Sequence, residues 1–389
     1  MRTAQVLNLL AALLVACGAS ACQCGGPQST DATDSRITDT QTDSSTTGLD
    51  TQGTTGTDTG GGHNPNPKDP LEPGGYRFGI ETPDGRNRIY EIYLPASVDQ
   101  TQPAPVVFNL HGERGSAELT PYYTQMNPTA DAHGFVVVYP QGIQGVGADQ
   151  YDPLATWNAS AECCGNALDQ NVDDVTYFRS VLSELKTQIW VDETRVYATG
   201  ISNGGLMSYR LACEASDLFA AIAPVATPGT DWSACALTQG VGIFQIHGTN
   251  DQCAPFTGGN QTCGGCVQDY SNTVFGTSLD LELWSCASIP DTLATWRARQ
   301  SCPQGSGTET YSVGTAQCKT WAPCNDESQV TLCTVGNMGH TWPGGLHIEV
   351  CQTHPDNTFC QAWLDIVGDI TTDISNDEIW AFFSAHASN

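Results

Sequence analysis

Three polar residues, each placed just after a run of apolar residues, have the types and the chain order needed for nucleophilic catalysis. They are Ser202, Asp251 and His340. A serine hydroxyl is a poor nucleophile until a neighbouring base removes its proton, and a carboxylate must orient that base. The sequence therefore predicts Ser202 as the nucleophile, His340 as the base and Asp251 as the acid.

The turn around Ser202 is the most specific of these signals. Gly200-Ile-Ser-Asn-Gly204 is a G-x-S-x-G sequence, which alone occurs by chance in a glycine-rich chain. Here it lies between a predicted strand, Arg195–Thr199, and a predicted helix, Leu206–Cys213. Glycine permits the unusual backbone angles of a tight strand-to-helix turn, so this context predicts a nucleophile elbow.

Other residues remain open for the same roles. Asp231 or Asp269 could orient the base, with Asp251 only capping a turn. His347 and His354 also follow the last predicted strand, but without the glycine-flanked loop start that precedes His340. The chain order serine, aspartate, histidine favours the first assignment.

Attack by a serine on a carbonyl also requires donors for the developing oxyanion. One is predicted to be the backbone N–H of Asn203, next to the nucleophile. The other should come from the loop His111–Ser116, which follows a continuous apolar run, and we assign it to the N–H of Glu113.

The elements that must position these residues alternate between strands and helices, which predicts an α/β fold. Its centre is a mostly parallel sheet covered by helices on both faces, because several apolar runs are continuous rather than alternating. Residues 253–328, with seven cysteines, are interpreted as a disulfide-rich insertion, part cap and part loop. The predicted strands are Tyr76–Thr82, Asn87–Leu94, Pro105–Leu110, Phe135–Tyr139, Arg195–Thr199, Leu218–Val225, Val241–His247 and Gln329–Val335, and the predicted helices are Asp174–Lys186, Leu206–Cys213 and Asp377–His386.

Charge and cysteine content restrict the partners and the compartment. The net charge of −28 would repel nucleic acid and anionic lipid headgroups, so neither is expected as a partner. The even set of fourteen cysteines between Cys163 and Cys360 indicates up to seven disulfides in an exported chain. Cys263-Gly-Gly-Cys266 lacks a matching His/Cys cluster, so no metal site is expected there.

The N-terminal region carries an export signal and a spacer. Residues 1–24 contain Arg2 and an apolar run, Val6–Val15, of signal-peptide length. Leu-Val-Ala-Cys17 resembles a bacterial lipobox, so we predict lipidation of Cys17, with Cys22 in Ala19-Ser-Ala-Cys22 as a weaker candidate and ordinary secretion as the alternative. Residues 25–75, rich in Thr, Asp and Gly, form a predicted disordered linker before the domain of residues 76–389. We expect an extracellular or cell-surface protein that meets a membrane only through the lipid.

The domain resembles the esterase/polyhydroxybutyrate-depolymerase family, which includes feruloyl and acetylxylan esterases. The resemblance implies an α/β-hydrolase fold, no cofactor, and hydrolysis of carboxylic esters by Ser202, Asp251 and His340. It also implies that Trp157 and Trp342 line the substrate cleft, with a buried packing role as the alternative for either, and we assign His111 to substrate binding with them. It rests on Leu110-His-Gly112, Trp157-Asn158, Cys163-Cys-Gly165, Val172-Asp-Asp-Val175, Tyr197–Gly205, His247-Gly-Thr-Asn-Asp251 and Gly339-His-Thr-Trp-Pro-Gly-Gly345.

Two departures from that family concern the substrate. Glu113-Arg114 replaces the small residues that usually follow His-Gly, and the stretch Cys253–Cys333 is longer than usual. We expect a monomeric serine esterase acting on a polymeric substrate, with feruloyl or acetyl esters of polysaccharides preferred. Alternatives are a polyhydroxybutyrate depolymerase, an exported serine peptidase, or a non-catalytic surface-binding lipoprotein.

Overall fold

The apolar runs of the sequence become strands of one large sheet in a computed structural model of the chain. The structure describes residues 71–143, 155–159, 163–264, 266, 283–347, 351, 356 and 358–388. All of these belong to the second of two compact units, residues 64–389. The predicted signal, Cys17 and nearly all of the predicted linker lie outside the described residues.

The strands follow the predicted positions closely and add several more. Asp174–Lys186, Leu206–Cys213 and Asp377–His386 are confirmed as helices with slightly shifted ends. In chain order the strands are β1 (Gly74–Glu81), β2 (Asn87–Leu94), β3 (Ala104–Leu110), β4 (Val136–Pro140), β5 (Val191–Ile201), β6 (Ala221–Val225), β7 (Gly242–Gly248), β8 (Gly259–Cys263), β9 (Trp284–Cys286), β10 (Thr308–Val313), β11 (Ala316–Trp321) and β12 (Val330–Val335). The helices are α1 (Thr120–Thr124), α2 (Met126–His133), α3 (Gly165–Asp169), α4 (Asp174–Gln188), α5 (Asn203–Glu214), α6 (Ile289–Arg299), α7 (Thr358–Val367) and α8 (Asn376–Ser384).

In the described residues the main sheet has ten strands in the order β1-β2-β4-β3-β5-β6-β7-β12-β11-β10. The six strands from β4 to β12 run parallel, whereas β1 and β2 at one edge and β11 and β10 at the other are antiparallel. Every residue of β3, β4, β6 and β7 is buried, as expected for strands covered on both faces. The predicted mostly parallel sheet is confirmed.

Helices pack on both faces because neighbouring residues of a strand point to opposite sides. Phe108 of β3 belongs to a core that contains residues of α4, α5 and α6. Its neighbour Val107 belongs to a second core that contains residues of α2 and α8. The two helical layers predicted from the sequence are therefore confirmed. Among the described residues, no helix has the length and apolar character needed to cross a membrane.

The insertion differs from the prediction of a cap and loops. Strands β10 and β11 form a hairpin that continues the main sheet beyond β12, and α6 buries Leu293 and Trp296 in the core. The cap interpretation is therefore wrong for the part of the insertion that contains α6, β10 and β11. The physical reason is that β11 buries alternate residues, Ala316 and Cys318, against the sheet, a pattern too short to stand out in a cysteine-rich segment.

Disulfides link all fourteen cysteines between Cys163 and Cys360. Cys263 and Cys266 bond to different partners, so they form neither a redox pair nor a shared metal site. One bond joins β11 to β12, and another joins β8 to β9. The pairs are Cys163–Cys164, Cys213–Cys235, Cys253–Cys266, Cys263–Cys286, Cys302–Cys324, Cys318–Cys333 and Cys351–Cys360.

Candidate active site

Ser202 occupies a strained turn between the end of β5 and the start of α5. Its backbone has φ 57° and ψ −122°, outside the regions that non-glycine residues favour. Such angles persist only where the surroundings enforce them, and they concentrate at active sites. The strand–turn–helix predicted around Ser202 is thus the geometry that the structure shows.

Close backbone packing enforces this turn. A Cβ on Gly204 would lie 2.6 Å from the carbonyl oxygen of Leu110 and would also collide with that of His111. A Cβ on Gly205 would collide with Oγ1 of Thr227. Glycine is therefore required where α5 crosses the end of β3.

We expect Gly204→Ala to lower both stability and activity. The added methyl would push α5 away from Leu110 and His111, at a cost of about 1–3 kcal/mol in the free energy of unfolding. Thermal unfolding and ester turnover measure the two effects. Gly79→Ala in the edge strand β1 is the control, because its Cβ would meet only one atom, at 4.0 Å. Equal unfolding temperatures for the two variants would contradict the packing argument.

Asp251 and His340 form a hydrogen-bonded pair at the same edge of the sheet. Nδ1 of His340 donates to Oδ2 of Asp251 at 2.9 Å, and Oδ1 lies at 3.1 Å. The Asp251 side chain is fully buried, whereas that of His340 is 15% exposed. Because Nδ1 is engaged, Nε2 of His340 is the nitrogen that remains to accept a proton.

Asp251 is held as an anion. Burial raises the pKa of its carboxyl, but the charge of His340 and the hydrogen bond from it outweigh burial, and the net pKa lies below the ordinary value. Oδ1 also accepts the backbone N–H groups of Cys253 (2.9 Å) and Ala254 (2.8 Å). The carboxylate therefore has a fixed orientation toward the imidazole.

The other candidate residues are placed differently. Asp231 is exposed and accepts hydrogen bonds from the backbone N–H and hydroxyl of Ser233, as in a capped turn. Asp269 and His354 lie outside the described residues. Asp251 is thus the carboxylate seen in contact with His340.

His247 is a contributor to this site to which sequence reasoning gave no role. Its Nε2 donates to the carbonyl oxygen of Ala254 (2.7 Å) and lies 3.6 Å from Oδ2 of Asp251. Its Nδ1 accepts from Nε2 of Gln245 at 3.2 Å. Burial lowers the pKa of His247, so the ring is uncharged and braces the turn that carries Asp251. The sequence feature that could have indicated this role is the position of His247 at the end of β7, in the same motif, His247–Asp251, as the carboxylate.

The predicted oxyanion residues flank Ser202. Asn203 is the first residue of α5, whose leading N–H groups have no acceptor within the helix. A Cβ on Gly112 would lie 3.4 Å from Cβ of Ser202, so the loop that contains Glu113 passes directly beside Ser202. The structure therefore brings both predicted donor segments to the turn at Ser202.

The three residues assigned to substrate binding are buried. Trp157 and His111 have no exposed surface, and Trp342 is 2% exposed. The indole N–H of Trp342 donates to Oδ1 of Asn376 at 2.8 Å, which ties the His340 loop to α8. We therefore revise the assignment of all three from contact with substrate to support of the site.

His111 is an uncharged side chain that stabilises the loop His111–Ser116. Gly142 N–H donates to its Nε2 at 2.9 Å, so Nδ1 carries the proton and donates to the Gly112 carbonyl at 2.7 Å. Burial lowers the pKa of His111 to about 4, with the nearby charge of Arg88 acting in the same direction. Protein contacts therefore satisfy both ring nitrogens.

One group of side chains has metal-like spacing in the described part of the chain. Atoms of Asp251, Cys253 and His340 lie within 4.8 Å of one another. The sulfur of Cys253 is bonded to Cys266, so it is not a thiolate ligand. The two remaining groups are hydrogen-bonded to each other, an arrangement that fits a catalytic pair rather than a metal centre.

Comparison with known proteins finds relatives whose names include an esterase activity. The chain is 30% identical over 266 residues to "Putative esterase NocK" of Nocardia uniformis subsp. tsuyamanensis, covering 67% of this chain and 72% of that protein. It is 25% identical over 257 residues to a bifunctional acetylxylan esterase/xylanase of Neocallimastix patriciarum, covering 66% of this chain and 31% of the relative. It is 27% identical over 258 residues to feruloyl esterase B of Piromyces equi, covering 64% of this chain and 42% of the relative.

A protein family and a solved structure also match parts of the chain. The Prolyl oligopeptidase family matches residues 163–257, a stretch that includes Ser202 and Asp251 but ends before His340. The acetyl xylan esterase from Aspergillus awamori aligns with a TM-score of 0.47 at 14% identity, covering 73% of this chain and 99% of that structure.

Proposed function

Because the chain belongs to the esterases of the α/β-hydrolase superfamily and is a carboxylic ester hydrolase, we propose that Ser202, Asp251 and His340 are its catalytic triad. The observation that carries the proposal is the 2.9 Å hydrogen bond between the buried Asp251 and His340. The strained turn at Ser202 supports it. This turn follows β5, whereas Asp251 and His340 follow β7 and β12, and these three parallel strands end at the same edge of the sheet.

The proposed mechanism has two matching halves. Nε2 of His340 takes the hydroxyl proton of Ser202 as its oxygen attacks the ester carbonyl, and the N–H groups of Asn203 and Glu113 hold the oxyanion. Collapse expels the alcohol, which leaves with the proton from His340. Water then attacks the acyl-enzyme with His340 again as base, which releases the carboxylic acid and restores Ser202. Asp251 orients His340 and stabilises its cation.

The proposed substrates are feruloyl or acetyl esters on plant polysaccharides. Two relatives are named as an acetylxylan esterase/xylanase and a feruloyl esterase, and the chain spans 31% and 42% of their lengths. Polyhydroxybutyrate is the competing ester polymer, since the family resemblance includes its depolymerases.

The proposed location is outside the cytoplasm, with a lipid anchor at Cys17. Seven disulfides support export, because disulfides persist in oxidising compartments and are rare in cytosolic proteins. The net charge of −28 disfavours direct binding of the protein to anionic lipid, so attachment to a membrane would depend on the lipid at Cys17.

Hydrolysis of a defined substrate set tests this function. The full chain is assayed on p-nitrophenyl acetate, methyl ferulate, acetylated xylan and an oligomer of 3-hydroxybutyrate. We expect kcat/KM for methyl ferulate or acetylated xylan to exceed that for the oligomer by about 10-fold or more, because pocket contacts discriminate on this scale. Preference for the oligomer would replace the proposed substrate class. A folded protein inert on all four would refute the proposed catalysis and favour a binding role.

A serine peptidase is the second candidate, because the Prolyl oligopeptidase family matches residues 163–257. The same triad cleaves amides, so peptide p-nitroanilides are included as substrates. Turnover of an anilide as efficient as that of the best ester would favour a peptidase, because amides are intrinsically less reactive than esters.

A further inference from the structure

Trp157 connects the two segments that carry the proposed oxyanion donors. Its backbone N–H donates to Oδ1 of Asn203 at 2.8 Å, and Nδ2 of Asn203 donates back to its carbonyl oxygen at 3.1 Å. Its indole N–H donates to the backbone carbonyl of His111 at 2.9 Å. One buried residue therefore holds the start of α5 on one side and the loop after β3 on the other.

We infer that Trp157 is a positioning residue that sets the separation between the N–H groups of Asn203 and Glu113. The inference rests on the proposed function, in which those two groups hold the oxyanion. A further contact fixes the same loop, because the N–H of Arg114 donates to the carbonyl of Ala155 at 2.8 Å. The segment around Trp157 thus pairs with the oxyanion loop on both sides of Glu113.

A buried ion pair stiffens the segment from behind. Nη1 of Arg88 lies 2.6 Å from Oδ1 of Asp174, and their side chains are 2% and 0% exposed. Oδ2 of Asp174 accepts the N–H of Asn158 at 2.8 Å, which anchors the residue after Trp157. Separating such a buried pair would leave an uncompensated charge, which is costly. The pair therefore holds Asp174, and the backbone of Asn158 bonded to it, in place.

Aromatic packing restrains the indole itself. The Trp157 ring centroid lies 4.8 Å from that of His111 and 5.4 Å from that of Phe178. The guanidinium carbon of Arg88 lies 5.7 Å from the centre of the Trp157 ring and 3.6 Å from the centre of the Tyr177 ring. The ring therefore has little freedom, and its N–H direction is fixed.

Trp157→Phe tests the role, because it keeps an aromatic ring but removes the hydrogen bond to His111. We expect kcat for p-nitrophenyl acetate to fall about 10- to 100-fold, since displacing a donor by a fraction of an ångström weakens oxyanion stabilisation. KM should change less than about 3-fold, because the donors act mainly in the transition state.

Trp321→Phe is the matched control. Trp321 is also largely buried, and its indole N–H also donates to a backbone carbonyl, that of Gly305, at 2.9 Å. It lies in β11, however, the strand next to the edge strand β10 of the main sheet. We expect both variants to lose thermal stability and only Trp157→Phe to lose kcat. Equal kcat values in the two variants would overturn the inference while leaving the proposed esterase intact. An inert wild type would instead overturn the proposed function, and the inference with it.

Asn203→Ala provides a second test should Trp157→Phe not fold. It removes the side-chain contacts to Trp157 and retains the backbone N–H that is the proposed donor. The same loss of kcat at nearly constant KM is expected. Unchanged kcat in a folded Asn203→Ala would overturn the positioning role.

Discussion

Ser202→Ala is expected to lower kcat for p-nitrophenyl acetate by about 10⁶-fold, because no acyl-enzyme can form without the hydroxyl. A residual rate above the uncatalysed reaction should remain, supplied by the oxyanion donors and by binding. A fluorophosphonate offers an independent readout, since it forms a covalent bond with an activated serine. Mass spectrometry should locate the adduct on the peptide that contains Ser202 in the wild type and find none in the variant.

Ser208→Ala is the control for this substitution. Ser208 lies in the same helix, α5, is fully buried, and its hydroxyl donates to the carbonyl of Gly204 at 3.0 Å. Loss of this single hydrogen bond costs about 1 kcal/mol of stability and should leave kcat within a few-fold of the wild type. Substantial turnover or labelling in Ser202→Ala would contradict the nucleophile assignment.

The central strands could be predicted because burial on both faces leaves a strong sequence signal. The run that became β3 is apolar except for Asn109, and the predicted Pro105–Leu110 differs from the observed strand by one residue. Once the strands are parallel, residues that follow their carboxyl ends share one edge of the sheet. That geometry explains why Asp251 and His340 could be paired from chain order alone.

Other features depend on contacts between distant residues, which no local pattern reveals. Fourteen cysteines permit very many pairings, and the observed set follows from which segments the fold brings together. The same holds for Trp157. Its neighbours in the sequence fit a cleft-lining residue as well as a buried one, and only its hydrogen bonds to Asn203 and His111 reveal a supporting role. His247 could be read from sequence as a strand residue, but not as a neighbour of Asp251.

The charge state of Asp251 determines the expected pH dependence. The net pKa of this carboxyl lies below its ordinary value of 3.8. Asp251 is therefore an anion at every pH above 3.8, and the stabilisation that the anion gives is lost only as pH falls below that value. The proposed mechanism also requires an uncharged histidine as its base. We expect kcat/KM to fall between about pH 7 and pH 5, the range in which histidines take up a proton. A flat rate from pH 5 to 8 would contradict a histidine base.

Asp251→Asn is expected to lower kcat by about 10⁴-fold with little change in structure. The amide can donate to Nδ1 of His340, which then leaves the proton on Nε2, where the base must accept one. The substitution also removes the negative charge that stabilises the imidazolium. Asp231→Asn, a change of the same kind at an exposed carboxylate that contacts Ser233, should retain wild-type kcat. If Asp231→Asn instead proved inactive while Asp251→Asn turned over normally, the acid of the triad would have to be reassigned, and the buried pair with His340 would be structural.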